Sequence, residues 1–380
     1  MQPSTNKKHI VIVGFGETGV LSAIHLNDKY KDEYQITAIS TKPSLVSGQE
    51  LGARLAEPSQ WMKNYYTDFE RYKQLEGVEL IHGQVTALLT DEKALQVKRF
   101  QSPAAELRLS YDILLIATGV TNGFWRSAQM QSDQQIQASI AQYASMFDKA
   151  ETIAVIGGGP SGAGCSYHLK SANPKKAVHY FFSGEKPLPH HHPATQDKVL
   201  QQLSDIGVVL HKGHRAIQGQ KHSISKTPIQ WSTGQAEFHA DVALWTTGQT
   251  QPNSDFLPKE MLDAQGFVNT NPYLQVTDHD SIFCVGDIAN TDKNRSSARN
   301  FAFKLVANNI HNYAQGKSQK MQEYTAPDYR WGSVLGVQSD GMRVFTPKGK
   351  VFRFPHWSIN SIVFPMFVRK GIYRGMKKPL

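Results

Sequence analysis

Two glycine-spaced turns are the residues of this chain best suited to chemistry. The first, Gly14-Phe15-Gly16-Glu17-Thr18-Gly19, follows the β-branched run Ile10 to Val13 and precedes a helical pattern through Leu21, Ile24 and Leu26. The second, Gly157-Gly158-Gly159-Pro160-Ser161-Gly162, follows Thr152 to Ile156 and precedes a helix through Tyr167 and Leu169. In a strand-turn-helix unit the first glycine permits a tight turn and the second lets backbone N–H groups approach a diphosphate. The third lets helix and strand pack closely. Each unit continues into another strand-like run, Gln35 to Ile39 and Ala177 to Phe182. The chain is thus expected to carry two dinucleotide-binding units, produced by duplication of a whole domain.

The elements that must position these turns are also legible. Tyr111 to Val120 reads as a buried strand closing in Ala117-Thr118-Gly119, and Asp241 to Gln249 as another closing in Thr246-Thr247-Gly248. Asp280 to Ala289 is a third, ending in Gly286-Asp287. The expected class is α/β: two Rossmann-like, three-layer domains, the second inserted in the first. Residues 1–124 and 250–320 form the first domain, 125–249 the second, and 321–380 a short C-terminal region.

Composition narrows the function classes. A chain of 380 residues, 40% hydrophobic and 19% charged, has the make-up of a multidomain globular protein. Its two cysteines, Cys165 and Cys284, lie far apart and provide no disulfide framework, redox pair or zinc ligand set, so they read as buried apolar residues. No metal site is expected. The histidines His190-His191-His192 alternate in direction along an extended loop and read as solvated rather than metal-binding. The N-terminus passes from a polar tail straight into a strand, with Gln2 where myristoylation needs Gly, which points to a cytoplasmic protein. The last forty residues hold nine Lys and Arg and no acid, matching the whole net charge of +9. Residues 351–378 mix these with Phe352, Phe354, Trp357, Phe364 and Phe367. This suits lying in the interface of an anionic membrane, on its inner face; packing on the body or a homodimer contact are the other readings. No nucleic-acid fold signature accompanies the charge, so a nucleic-acid partner is not expected.

The order of five motifs (GxGxxG, ATG, GGGPSG, TTG, GD) resembles the two-dinucleotide-domain flavoproteins of the glutathione reductase superfamily, over about residues 8 to 315. The resemblance implies FAD on the first unit, held by Gly14, Gly16, Glu17, Thr18, Gly19, Val85, Ala117, Thr118, Gly119, Gly286 and Asp287. Asp287 would meet the ribitol chain. Lys42 and Arg54 are candidates for the diphosphate or adenosine, with a solvated role as the alternative; Gln49 and Glu50 are further candidates nearby. A helix expected from about Ala298 to Tyr313 would aim its N-terminus at the flavin, with Arg299, Asn300 and Phe301 on its first turn. The second unit would take NADH or NADPH through Gly157, Gly159, Pro160, Ser161, Gly162, Ser183, Lys186, Thr247 and Gly248. Glu185 and Lys186 argue opposite ways on the 2′-phosphate. Hydride passes between cofactors, so no catalytic side chain is expected.

The CxxC and CxxxxC pairs of the disulfide reductases are absent, and so is the FxGxxxH segment of N-hydroxylating monooxygenases. The C-terminal Leu335-Gly336-Val337-Gln338 and the basic tail resemble the apoptosis-inducing-factor-like branch, which includes the ferroptosis suppressor protein and borders the type II NADH dehydrogenases. That resemblance implies NAD(P)H:quinone reduction peripheral to a membrane. One departure stands out: where this branch has a glutamate beside the nicotinamide, the chain has Gly164. Two alternatives follow, a soluble reductase for a ferredoxin-like protein carrier and a flavin-binding sensor with impaired turnover.

Overall fold

The computed structural model describes residues 7–377 except 103, 124, 218–222, 226–227 and 248–249. The strand Lys8–Val13 lies near the centre of an eight-stranded sheet. It pairs in parallel with Tyr34–Ser40 on one side and Ile113–Ile116 on the other. His279–Cys284 and Glu79–Leu89 extend the parallel set at its two ends. Antiparallel strands Ala94–Arg99, Glu106–Ser110 and Gln275–Val276 finish the edges. Ile10, Val11, Ile12 and Leu114 are fully buried, which accounts for the unbroken apolar runs: a parallel strand covered on both faces has no solvent side to alternate with.

A second sheet has five strands, with Thr152–Ile156 between Ala177–Phe181 and Val242–Trp245, all parallel. Val209–His211 adds a further parallel strand and Ile224–Ser225 an antiparallel one. Two short strands, Val120–Thr121 and Gln251–Pro252, pair where the chain passes between the sheets.

The helices that matter are α1 (Glu17–Lys29), α2 (Leu51–Ala56), α3 (Pro58–Tyr65), α4 (Asp133–Lys149), α5 (Pro160–Ala172), α6 (Pro193–Asp205) and α7 (Ala302–Ala314). Helix α4 opens on a capping box in which Ser132 accepts from the Gln135 N–H and the Gln135 side chain accepts from the Ser132 N–H. Helix α7 starts four residues later than the sequence suggests. Phe301 is held at φ 59, in the left-handed region, and serves as its N-cap. Arg299, Asn300 and Phe301 therefore form the turn before the helix rather than its first turn.

The basic tail is docked on the protein. Gly341–Phe345 and Val351–Pro355 form a hairpin, and a wide helix, Ile359–Ile372, follows. Ile359, Val363 and Phe364 are buried beneath that helix, and Tyr373 enters the core of the first sheet 4.9 Å from the Tyr72 ring. The opposite face stays apolar and uncovered: Trp357 is 70% exposed and Phe352, Met366 and Phe367 are each close to 60%. Among the described residues no helix is long and apolar enough to cross a membrane.

Candidate dinucleotide-binding site

Both glycine turns open onto one cavity of about 1740 Å³, well beyond the roughly 300–1,000 Å³ of an ordinary small-molecule pocket. The two turns divide labour in the same way. A Cβ on Gly14, at φ +92, would lie 2.5 Å from the backbone of Ala117 and Thr118, and one on Gly19 would lie 2.1 Å from the Gly14 carbonyl oxygen. In the second turn, Gly157 is closed off by Thr246 at 2.5 Å and Gly162 by the Gly157 carbonyl at 2.2 Å. The middle glycines differ: a Cβ on Gly16 or Gly159 would meet nothing within 4 Å. The first and third glycines hold the turn and the second leaves space for a ligand, which is the division a diphosphate cradle requires.

On the first turn's side the cavity is lined by Gly14, Gly16, Glu17, Thr18, Lys42, Arg54, Val85, Ala117, Thr118, Gly119, Gly286 and Asp287, while Gly19, grouped with them in the sequence, packs behind the turn. Thr18 packs against Gly286, where a Cβ would approach the Thr18 hydroxyl to 3.2 Å. The Glu17 carboxylate accepts from Ser47 Oγ at 2.9 Å, Gln49 Nε2 at 2.7 Å and Tyr373 Oη at 3.0 Å. Asp287 lies at the carboxyl end of its strand and takes Arg126 Nη1 on Oδ2 at 2.7 Å. Lys42 bonds the Gln129 carbonyl, and burial lowers its pKa to about 8. Arg54 donates to the Trp125 carbonyl at 3.0 Å and stacks over Trp61; burial pulls it down to about 10. A solvated role is thereby overturned for Arg54, which is 6% exposed, while Lys42 is half-buried.

Arg299 and Phe301 face the cavity, but Asn300 does not. Its side chain is taken up by Ser296, Tyr324 and the Trp331 indole, so it braces the turn from behind. This corrects the expectation of a flavin contact at Asn300.

On the second turn's side Gly159, Pro160 and Ser161 line the cavity, while Gly157 and Gly162 pack behind it. Thr246, not Thr247, braces the turn, donating to the Ile156 carbonyl at 2.9 Å. Gly248 lies outside the described residues. Ser183 and Lys186 are exposed and do not line the cavity. Lys186 pairs with Asp197, and Glu185 with Lys212 at 2.9 Å, so each of the two opposed charges is already partnered.

The histidine run is a loop, but it is not solvated throughout: His190 is exposed, while His191 and His192 are not. His191 is 2% exposed and lines the cavity with His190, while His192 caps α6 by accepting from the Ala194 N–H at 3.2 Å. Desolvation, with Arg330 and Arg299 beside it, lowers the His191 pKa to about 3. The expectation failed because the backbone of Arg330, far along the chain, bridges to His191 and covers it.

Gly164 allows a close helix crossing. A Cβ on Gly52 of α2 would lie 2.3 Å from the Gly164 carbonyl oxygen, so α2 and α5 meet backbone to backbone. One turn further on the same face of α5, His168 points Nε2 at the Leu335 carbonyl (2.9 Å) and at Glu50 Oε2 (3.5 Å). Glu50 is held at φ 53, and its carboxylate fills the space where a Cβ on Gly336 would sit, 1.4 Å from Oε2. A carboxylate thus reaches the cavity wall from the residue that precedes α2, beside His168 one turn along α5 from Gly164. Sequence reasoning also passed over Arg126, Arg330 and Tyr373, none of which belongs to a local motif. In all, seven Lys and Arg side chains and four Asp and Glu line the cavity, an excess of positive charge that suits ligands carrying diphosphates.

Residues 8–312 match the family model described as pyridine nucleotide-disulphide oxidoreductase. The chain belongs to this family. The flavoprotein is 26% identical to oxidoreductase ptaL of Pestalotiopsis fici over 306 residues, 75% of this chain and 78% of that one. It is 25% identical to ferroptosis suppressor protein 1 of Xenopus tropicalis over 337 residues, 82% of each. Among solved structures, NDH2 from Plasmodium falciparum in complex with NADH superimposes with a TM-score of 0.73 at 13% identity, covering 97% of this chain and 96% of that one. The water-forming NADH oxidase of Lactobacillus brevis gives 0.64 at 18% identity, covering 89% and 75%. The cofactors are FAD and NADH or NADPH, and the open cradles at Gly16 and Gly159 fit two such dinucleotides. The protein is an NAD(P)H-dependent flavin oxidoreductase.

Proposed function

We propose that this protein passes electrons from NAD(P)H through FAD to a quinone, working as a peripheral protein on an anionic membrane surface. One observation carries the reading. The cavity that takes in both glycine turns is also walled by Val363, Phe364, Val368 and Ile372 of the C-terminal helix, together with Tyr65, Tyr72 and Tyr373. An apolar, tyrosine-rich wall suits an uncharged planar acceptor and gives no anchor for a highly charged one. The same helix turns Met366 and Phe367 outward beside Arg369 and Lys370, with exposed Trp357 in the turn that leads into it, so the wall of the site and part of the uncovered apolar face share one element. The ferroptosis suppressor and NDH2 relatives support this reading by similarity.

FAD, when bound, supplies two-electron storage between donor and acceptor. The chain's own residues hold that chemistry in place. Gly16 and Gly159 would admit the two diphosphates, Asp287 would hold ribitol hydroxyls beside its Arg126 pair, and the apolar wall would exclude water. Glu50 and Glu17 put carboxylates on the cavity wall, and both favour the charged form of Arg299. The division of the chain at residues 124, 249 and 320 belongs to the same proposal: one FAD domain in two segments, one nicotinamide domain, and the C-terminal region as acceptor wall.

The test is an acceptor comparison with NADH and NADPH as donors. A short-chain ubiquinone analogue should be reduced at least tenfold faster than a ferredoxin, and faster still with vesicles containing anionic lipid. Faster ferredoxin reduction, without a lipid effect, would replace the quinone reading with the soluble-reductase one.

A further inference from the structure

Four acidic side chains line the cavity, and three are accounted for. Glu17 accepts from Ser47, Gln49 and Tyr373, Asp287 is paired with Arg126, and Asp255 is exposed to solvent. Glu50 is different. Its side chain is 12% exposed, yet among the described residues no hydrogen bond reaches its carboxyl group, and it does not cap α2, which it precedes. A carboxyl group withdrawn from water ordinarily keeps its hydrogen-bond partners. The described ion-pair contact of Glu50 is His168 Nε2, 3.5 Å from Oε2. That nitrogen carries its hydrogen toward the Leu335 carbonyl at 2.9 Å, because a carbonyl oxygen only accepts.

The backbone on both sides is shaped to keep the carboxyl group there. Glu50 holds φ 53, in the left-handed region that disfavours a side chain. Gly336 opposite it has φ +67, and a Cβ there would collide with the Glu50 carboxyl oxygens. On one flank of Glu50 is His168 of α5. On the other is Tyr65, whose hydroxyl is pushed well above its ordinary range by burial, with the charges of Glu50 and then Glu17 adding to it. The Tyr65 ring meets Phe364 of the C-terminal helix edge-on, with centroids 6.1 Å apart. Glu50 thus stands between α5 and the apolar wall assigned above to the acceptor.

The acceptor's chemistry leaves a role open at this position. Reducing a quinone to its quinol takes two electrons and two protons, whereas NAD(P)H gives up two electrons and one proton, together, as hydride. Each turnover draws one more proton from water: NAD(P)H + H+ + quinone gives NAD(P)+ + quinol. An acceptor oxygen held against an apolar wall needs a side chain to hand it that proton. We propose that Glu50 delivers it: the Glu50 carboxyl O–H bond breaks as the quinol O–H bond forms, and water entering the cavity then returns a proton to the carboxylate. His168, fixed by Leu335, is a positioning residue that keeps the carboxyl group on the cavity side. The inference rests on the quinone reading and adds to it a side chain that takes part in the chemistry, where the sequence implied none.

The test compares two acceptors on the flavin-loaded protein, because ferricyanide takes electrons without protons and a quinone needs both. The protein is reduced anaerobically with NADH or NADPH and mixed with ferricyanide or a short-chain ubiquinone analogue. The return of flavin absorbance is followed for wild type, Glu50→Gln and Glu50→Ala. Glu50→Gln keeps the shape of the side chain but cannot carry the proton, and should slow the quinone step at least about tenfold more than the ferricyanide step. Glu50→Ala should show the same split, and added formate, a small carboxylic acid, should restore part of its quinone rate and none of its ferricyanide rate. A quinone step slowed no more than the ferricyanide step, in a variant with an unchanged melting temperature, would overturn the proposal. So would a slowing matched by an equal rise in the Kd of the oxidised protein for the analogue, since Glu50 would then act in binding alone. A wild-type protein whose reduced flavin is reoxidised by ferricyanide and by no quinone would overturn the acceptor reading itself.

Discussion

The glycine geometry makes a sharp prediction about two substitutions of the same size in the same turn. Gly16 has φ −77 and ψ −167, ordinary extended backbone, and a Cβ there meets nothing within 4 Å. Gly16→Ala should leave the empty protein as stable as wild type and place a methyl group in the diphosphate space. Overpacking by one methyl costs about 1–3 kcal/mol, and at about 1.4 kcal/mol per tenfold the FAD Kd should rise roughly 5- to 150-fold. Gly14→Ala should behave in the opposite way. It needs φ +92 and drives a Cβ to 2.5 Å from two backbone groups. Left-handed strain of about 1–2 kcal/mol joins the overpacking cost. The sum of about 2–5 kcal/mol should lower the melting temperature by roughly 4–20 °C at about 2–4 °C per kcal/mol. Thermal unfolding of the FAD-free proteins and fluorescence titration with FAD separate the two. A Gly16→Ala protein that binds FAD normally, or one that melts as early as Gly14→Ala, would refute the reasoning.

Other consequences follow from the same contacts. Gly159→Ala, at φ −83 with open space, should raise the NAD(P)+ Kd and leave FAD binding within twofold; a change in FAD binding alone would contradict the assignment of the two turns. Tyr373→Phe removes the 3.0 Å bond to Glu17 and should cost about 1.5–3 kcal/mol in urea unfolding; an unchanged midpoint would show that the tail is not anchored there. Gly336→Ala should destabilise strongly because it evicts the Glu50 carboxylate, and adding Glu50→Ala should restore part of the loss, with the φ +67 strain remaining. Additive losses in that double variant would mean that the two residues do not meet. Trp357→Ser with Phe367→Ser should abolish sedimentation with anionic vesicles without lowering the melting temperature, since both side chains are more than half exposed. These point variants are better probes than truncation, which would strip Val363, Phe364 and Tyr373 from the core.

What could be read from sequence was what neighbours in sequence decide. The glycine spacing of each turn, the apolar runs before it and the helix after it are local, and the strands at Lys8–Val13 and Thr152–Ile156 formed as expected. What escaped depends on residues far apart. Arg126 reaches Asp287 across 161 positions and Tyr373 reaches Glu17 across 356, so no window of sequence contains either pair. His191 looks like loop until Arg330 is laid over it, and Glu50, a candidate for the site in sequence, shows only in three dimensions that Gly336 makes room for its carboxylate. The late start of α7 had no local signal, because Phe301 in the left-handed region is sustained by its surroundings and not by its own preference. Gly164 reads as a lost side chain in sequence, and in three dimensions as the surface on which α2 packs.

The central claim is that one chain brings a flavin and a nicotinamide together in one cavity, and anaerobic mixing tests it most directly. The purified protein should show the visible absorbance of bound FAD, and adding NADH or NADPH without oxygen should bleach it within seconds, with colour returning on addition of the ubiquinone analogue. A flavin that stays oxidised with both donors would contradict the account and favour a flavin-binding sensor.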